Sequence, residues 1–113
     1  MSKFEPRRKL KLMAEVQCWP IWDMSTLDNI DPATLPLPDK LINKLNEWSD
    51  RFDSIYKLDA PNFHLNIGFA SRQEEDAFYD DGLLLFKKLR EEMPDVDWWY
   101  RDQRYSGLLS QQS

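Results

Sequence analysis

The sequence is poor in the residues from which small catalytic and metal-binding sites are made. It holds one cysteine, Cys18, and one histidine, His64, among 113 residues. A lone cysteine closes no internal disulfide and cannot supply a four-cysteine zinc site, so both of those architectures are excluded. The three glycines, Gly68, Gly82 and Gly107, lie far apart, which leaves no glycine-rich phosphate loop. No apolar run approaches the roughly 18 residues of a membrane span. A basic excess is missing as well: 15 Lys and Arg stand against 20 Asp and Glu, a formal net charge of −5. That balance argues against nucleic-acid binding by the surface as a whole. The stretch Met1 to Leu12 carries Lys3, Arg7, Arg8, Lys9 and Lys11 with no apolar segment behind them. A standard secretory signal is therefore not expected, and a cytoplasmic location is.

Apolar and aromatic residues, by contrast, are abundant. Hydrophobic residues make up 42 % and aromatics 13 %, with five tryptophans, enough for one well-filled core in a single domain spanning 1–113. Charge is uneven along the chain. Up to residue 11 there are five basic residues and one acidic; beyond it 10 basic residues meet 19 acidic ones, a net −9. A single-signed body of this kind speeds encounter with an oppositely charged partner. The basic leader 1–8 and the tail 106–113 are expected to be flexible.

Periodicity predicts an α+β fold. Leu10, Leu12, Ala14 and Val16 alternate with Lys9, Lys11, Met13 and Glu15 and mark a half-buried strand over 9–16. Val96, Trp98 and Tyr100 mark another over 96–101. Pro38 suits a helix start, and Leu41, Leu45, Trp48, Phe52 and Ile55 recur at four- and three-residue steps, predicting a helix over 38–57. Ser71 with Glu74 forms a capping box for a second helix over 71–93, which Pro94 ends. The buried stripe of that helix is Phe78, Gly82, Leu85, Leu89 and Met93, with Leu84 and Phe86 widening it, and Gly82 implies close approach of another element. The expected assembly is a small antiparallel sheet of at least two strands covered by a two-helix hairpin. The proline-rich but apolar stretch 17–37 packs over the core, with room for a further short strand.

Chemistry finds little purchase in these residues. Cys18 and His64 are the only pair that could make a nucleophile and base, and their flanks carry no catalytic signature. The same two residues supply too few metal ligands, and Asp28 and Asp31 lack calcium-loop spacing. Asp80 and Asp81 are adjacent on a helix and point about 100° apart, so they do not form a paired-carboxylate site. The reading is a non-enzyme without catalytic residues, cofactor or metal.

The run Leu10-Lys11-Leu12-Met13-Ala14-Glu15, then Cys18-Trp19-Pro20-Ile21-Trp22-Asp23, Asp31-Pro32, Leu35-Pro36-Leu37, Trp48, Phe52-Asp53, Gly68-Phe69, and Phe78 through Gly82 to Leu85 and Leu89 resembles small bacterial immunity proteins. These are the partners of polymorphic toxins, including those of contact-dependent inhibition systems. The likeness spans about residues 9–100 and carries no catalytic residues. It implies a cognate protein toxin as partner, basic and nuclease-like if the acidic body is its complement, with no role for nucleic acid or membrane. The alternative is a self-associating adaptor domain, homodimeric through a free sheet edge. The candidate partner-binding residues are Trp19, Trp22, Asp23, Glu75, Asp76, Asp80, Asp81 and Trp99. The tryptophans are potential hot spots, and Asp80 and Asp81 are acids that helix-dipole compensation does not explain.

Overall fold

The computed structural model describes residues 8–55, 69, 71–105 and 109–110. In chain order these form β1 (Lys9–Leu12), β2 (Ile21–Asp23), β3 (Asn29–Ile30), a 3-10 turn (Pro32–Thr34), α1 (Asp39–Ile55), α2 (Arg72–Glu92), β4 (Asp97–Tyr100) and β5 (Leu109–Ser110). The architecture is α+β: a five-stranded sheet in the order β3-β2-β1-β4-β5, with both helices on one face. The stretch 17–37 supplies two short strands and the 3-10 turn. Leu109–Ser110, within the tail expected to be flexible, pairs antiparallel with β4. The leader up to residue 7 and the rest of the tail lie outside the described residues.

The sheet is mixed, which corrects the antiparallel expectation. β1 runs antiparallel to β2 but parallel to β4, with Leu10 opposite Trp98 and Leu12 opposite Tyr100. Alternation of period two is the same for both pairings, so it carries no sign of direction; the route of the connection decides that. The predicted strand over 9–16 stops at Leu12 because the backbone then turns: Met13 donates to Pro20 O, and Gln17 takes a positive φ of 58°.

Helix boundaries follow local chemistry. The Pro38 carbonyl accepts from the N–H groups of Leu41 and Ile42 at 3.0 Å, opening α1. Ser71 caps α2, its hydroxyl accepting from Glu74 N–H at 3.1 Å, and Met93 N–H closes the helix on Leu89 O. The apolar stripes of both helices meet the inward side chains of the sheet. Leu10, Leu12, Ile21, Leu45, Phe78, Leu89, Trp98 and Tyr100 are fully enclosed there, and Trp48, Phe52 and Leu85 are buried with them.

Gly82 sits where three elements, α1, α2 and β4, converge. The Trp48 indole of α1 donates to Phe78 O at 2.9 Å and stacks on the Phe78 ring at 4.6 Å. The Tyr100 hydroxyl of β4 donates to Tyr79 O at 2.7 Å. Both side chains reach these α2 carbonyls across the space a Cβ at residue 82 would fill, and that Cβ would meet Trp48 Cζ2 at 2.6 Å and overlap the Tyr100 hydroxyl. Alanine would gain about 1 kcal/mol of helix propensity. Overpacking costs about 1–3 kcal/mol and the two buried hydrogen bonds are put at risk. Gly82→Ala is therefore expected to destabilise the protein in a urea titration. An unchanged or raised midpoint would mean that Trp48 and Tyr100 yield freely.

Candidate functional site

The candidate partner residues fall on two separate surfaces. On the sheet face turned away from the helices, the register places Trp22 of β2 and Trp99 of β4 on either side of Lys11 of β1. Trp98, its neighbour in sequence, faces the core and is enclosed. The Trp22 indole donates to Met13 O at 3.1 Å, which fixes the ring against the turn after β1. Beside it Lys11, Met13, Trp22, Asp23, Met24 and Leu27 line a shallow hollow of about 270 Å³.

The rim of that hollow is a tight turn. Asp23 Oδ1 accepts from the backbone of Ser25 at 2.8 Å and Thr26 at 3.1 Å, while Arg8 lies 3.9 Å from Oδ2. Asp23 is thus first a turn former. Leu27, at the tip, has a φ of 67° and is 79 % exposed. A left-handed leucine costs about 1–2 kcal/mol and burial does not offset it here. Trp19, 46 % exposed, is held through its backbone, whose N–H and carbonyl bond the Asn29 amide at 2.9 and 2.7 Å.

The acidic residues lie in the helix layer, across the sheet from Trp22 and Trp99. Asp76 and Asp80 stand one turn apart on α2, where like charges repel. Arg104, in the turn after β4, reaches between them: its guanidinium is 2.9 Å from Asp76 and 3.3 Å from Asp80, and its shortest contact, 2.6 Å, is to Asp102. It also lies over the rings of Tyr79 and Tyr105 at 5.5 and 5.3 Å. The hydrogen bond to Asp102 is the chief reason the Arg104 pKa is pushed further up, against the opposing effect of burial. Burial, then the Asp102 charge, raises the Tyr100 phenol as well, keeping it a donor to Tyr79 O. Asp81 is paired instead with Arg51 of α1 at 2.7 Å. Glu75, half-buried in the first turn, is where the helix dipole favours an anion.

Sequence reasoning had no account of Arg104 and Asp102, which lie in an aperiodic turn. The available signal was the i,i+4 repulsion of Asp76 and Asp80, which calls for a cation from elsewhere. Leu27 left no trace either, since a positive φ at leucine has no composition signal.

Nothing around Cys18 activates it. The residue is half-buried in the β1–β2 connection, and its carbonyl accepts from Ser49 Oγ at 2.8 Å. Burial first, then Glu15 and Asp53, push the thiol pKa up, the opposite of what a nucleophile needs. His64 lies outside the described residues. Among the described residues no three His, Cys, Asp or Glu side chains could hold a metal ion, and no helix is long and apolar enough to cross a membrane.

The described residues thus form a helix-backed mixed sheet of α+β class, with two half-buried tryptophans on the face away from the helices and an acidic cluster on α2. The chain belongs to the Serratia CdiI immunity protein-like family, whose model matches residues 8–103. Comparison with curated proteins gives no significant match.

Burial separates the two ion-pair systems in strength. Arg51 and Asp81 are about half exposed, and such pairs contribute under about 1 kcal/mol. Asp102 is 6 % exposed and Arg104 14 %. Arg104→Ala strands a buried carboxylate and is expected to cost about 3–5 kcal/mol in chemical denaturation, with Arg104→Lys recovering less than half. A loss no larger than that of Arg51→Ala would make the cluster a surface feature.

Proposed function

We propose that the protein is the immunity partner of a contact-dependent inhibition toxin, which it binds and neutralises in the cytoplasm by occlusion, without catalysis or cofactor. Membership of the Serratia CdiI immunity protein-like family carries this reading. The geometry supports it: a rigid sheet presents Trp22 and Trp99 beside the methionine-lined hollow, the residue types that dominate interface energetics. The toxin is anchored there, with Trp19 and Asp23 at the margin.

Its surface is basic, as that of a nuclease would be. One guanidinium among Asp76, Asp80 and Asp102 leaves a surplus of two negative charges, and Asp80 is 68 % exposed on its side chain. Pairing with Arg104 and Arg51 makes Asp76, Asp80 and Asp81 weaker contacts than their count suggests. With Glu75, their role is to steer association through the long-range field.

Kinetics with the product of the neighbouring toxin gene test this division. Trp22→Ala with Trp99→Ala should speed dissociation at least about tenfold, the equivalent of 1.4 kcal/mol. Asp80→Lys with Asp81→Lys should slow association at low salt and lose its effect as salt rises. Unchanged dissociation would move the anchor off the sheet, and salt-independent association would remove the steering role. His64→Ala with Cys18→Ser should still protect cells that produce the toxin. Loss of protection with the fold and toxin affinity intact would make the protein an enzyme.

A further inference from the structure

The outer face of α2 carries a charge pattern that is symmetric about one exposed leucine. Leu84, expected on the buried stripe, is instead 60 % exposed, while its neighbours Leu85 and Phe86 are buried. At about 100° per residue, Asp80 and Lys88 lie about 40° to either side of Leu84, and Asp81 and Lys87 about 60°. Along the axis, one pair stands about 6 Å from Leu84 and the other about 4.5 Å. All four are exposed. Two carboxylates therefore precede the leucine and two ammonium groups follow it at mirrored spacings.

We propose that this face pairs with the same face of a second copy, the two α2 helices running antiparallel across a two-fold axis at Leu84. Antiparallel packing sets Asp80 opposite Lys87 of the partner subunit and Asp81 opposite Lys88 of the partner subunit, because residues seven apart lie on the same side of the leucine. The two-fold repeats both contacts, giving four charge pairs around a central leucine contact. A surface complementary to itself is what an isologous dimer requires. Ala77, one heptad before Leu84, is small and exposed and allows close approach of the helices. Leu84 also borders a hollow of about 490 Å³ on the α1 side, where Leu41 and Leu85 lie among Lys40, Lys44 and Lys88.

The intramolecular contacts leave these groups available. Asp80 is 3.3 Å from Arg104 through Oδ1, and Asp81 meets Arg51 through Oδ2, so each retains a second oxygen. Lys88 is 3.8 Å from Glu91, an exposed pair that is readily exchanged. A contact of one helix from each copy falls below about 1,200 Å² in total, in the range of weak, reversible association. This site differs from a sheet-edge dimer, which would leave α2 uncovered.

Sedimentation velocity of the full chain alone, from about 5 to 500 µM at low salt, reads the proposal directly. A reversible monomer–dimer equilibrium is expected, weakened by salt, with Leu84→Glu weakening it at least about tenfold. Lys87→Glu with Lys88→Glu should be monomeric alone. Mixed with Asp80→Lys, Asp81→Lys chains, it should form a heterodimer, because every facing pair is then opposite in sign. Circular dichroism checks that each variant is folded; Leu84 and the two lysines are exposed, so those variants serve even if the aspartate reversals are destabilised. A wild-type chain that stays monomeric throughout overturns the proposal, as does a dimer indifferent to Leu84→Glu. Toxin is absent from the measurement, so its failure leaves the immunity reading standing.

Discussion

The missing side chain at Gly82 is the constraint on which the layers depend. One helix, α2, must accept Trp48 from α1 and Tyr100 from β4 at the same turn, and both arrive with a polar atom that needs a partner in a dry interior. The carbonyls of Phe78 and Tyr79 meet that need, and they can be reached only because nothing projects from residue 82. The same contact fixes the sheet under the helices. Tyr100 lies opposite Leu12 in the register, so seating its hydroxyl on α2 also seats the central strand β1. Beyond it, Arg104 extends the attachment of the chain to α2 through Asp76 and Asp80.

Sequence patterning made the helices legible because each signal was local. The Ser71 cap, the stop at Pro94 and the stripes through Leu45, Trp48, Phe78 and Leu89 all lie within one helix length of the elements they specify. Gly82 was legible as a close approach, though not what approaches, since Trp48 and Tyr100 come from other elements. The parallel sense of β1 and β4 was hidden for the same reason. The very short strands β2, β3 and β5 are too brief for alternation to register.

The partner surfaces were legible as residue types and not as places. Trp98 and Trp99 split between core and open face as alternation requires. The acids from Asp76 to Asp81 stood out as a cluster, but their cations, Arg104 and Arg51, come from a distant turn and from the other helix, so much of the apparent single-signed charge is internally compensated. What survives is a surplus around Arg104 and a mirrored arrangement about Leu84, and neither can be seen by counting charges.

The parallel pair at the sheet's centre has a kinetic consequence. β1 is bordered by β2, close behind it in the chain, and by β4, which is reached only after both helices. Closing the loop from Lys9 to Asp97 costs entropy before it returns contacts, so the step that completes the sheet is also the slowest kind of contact to make. Until Trp98 and Tyr100 arrive, the inward faces of α1 and α2 lack the two largest enclosed side chains of the sheet beneath them. A chain severed ahead of Asp97 lacks the strand that pairs β1 and seats Tyr100 on α2, so its helices are left with uncovered apolar faces rather than a smaller domain.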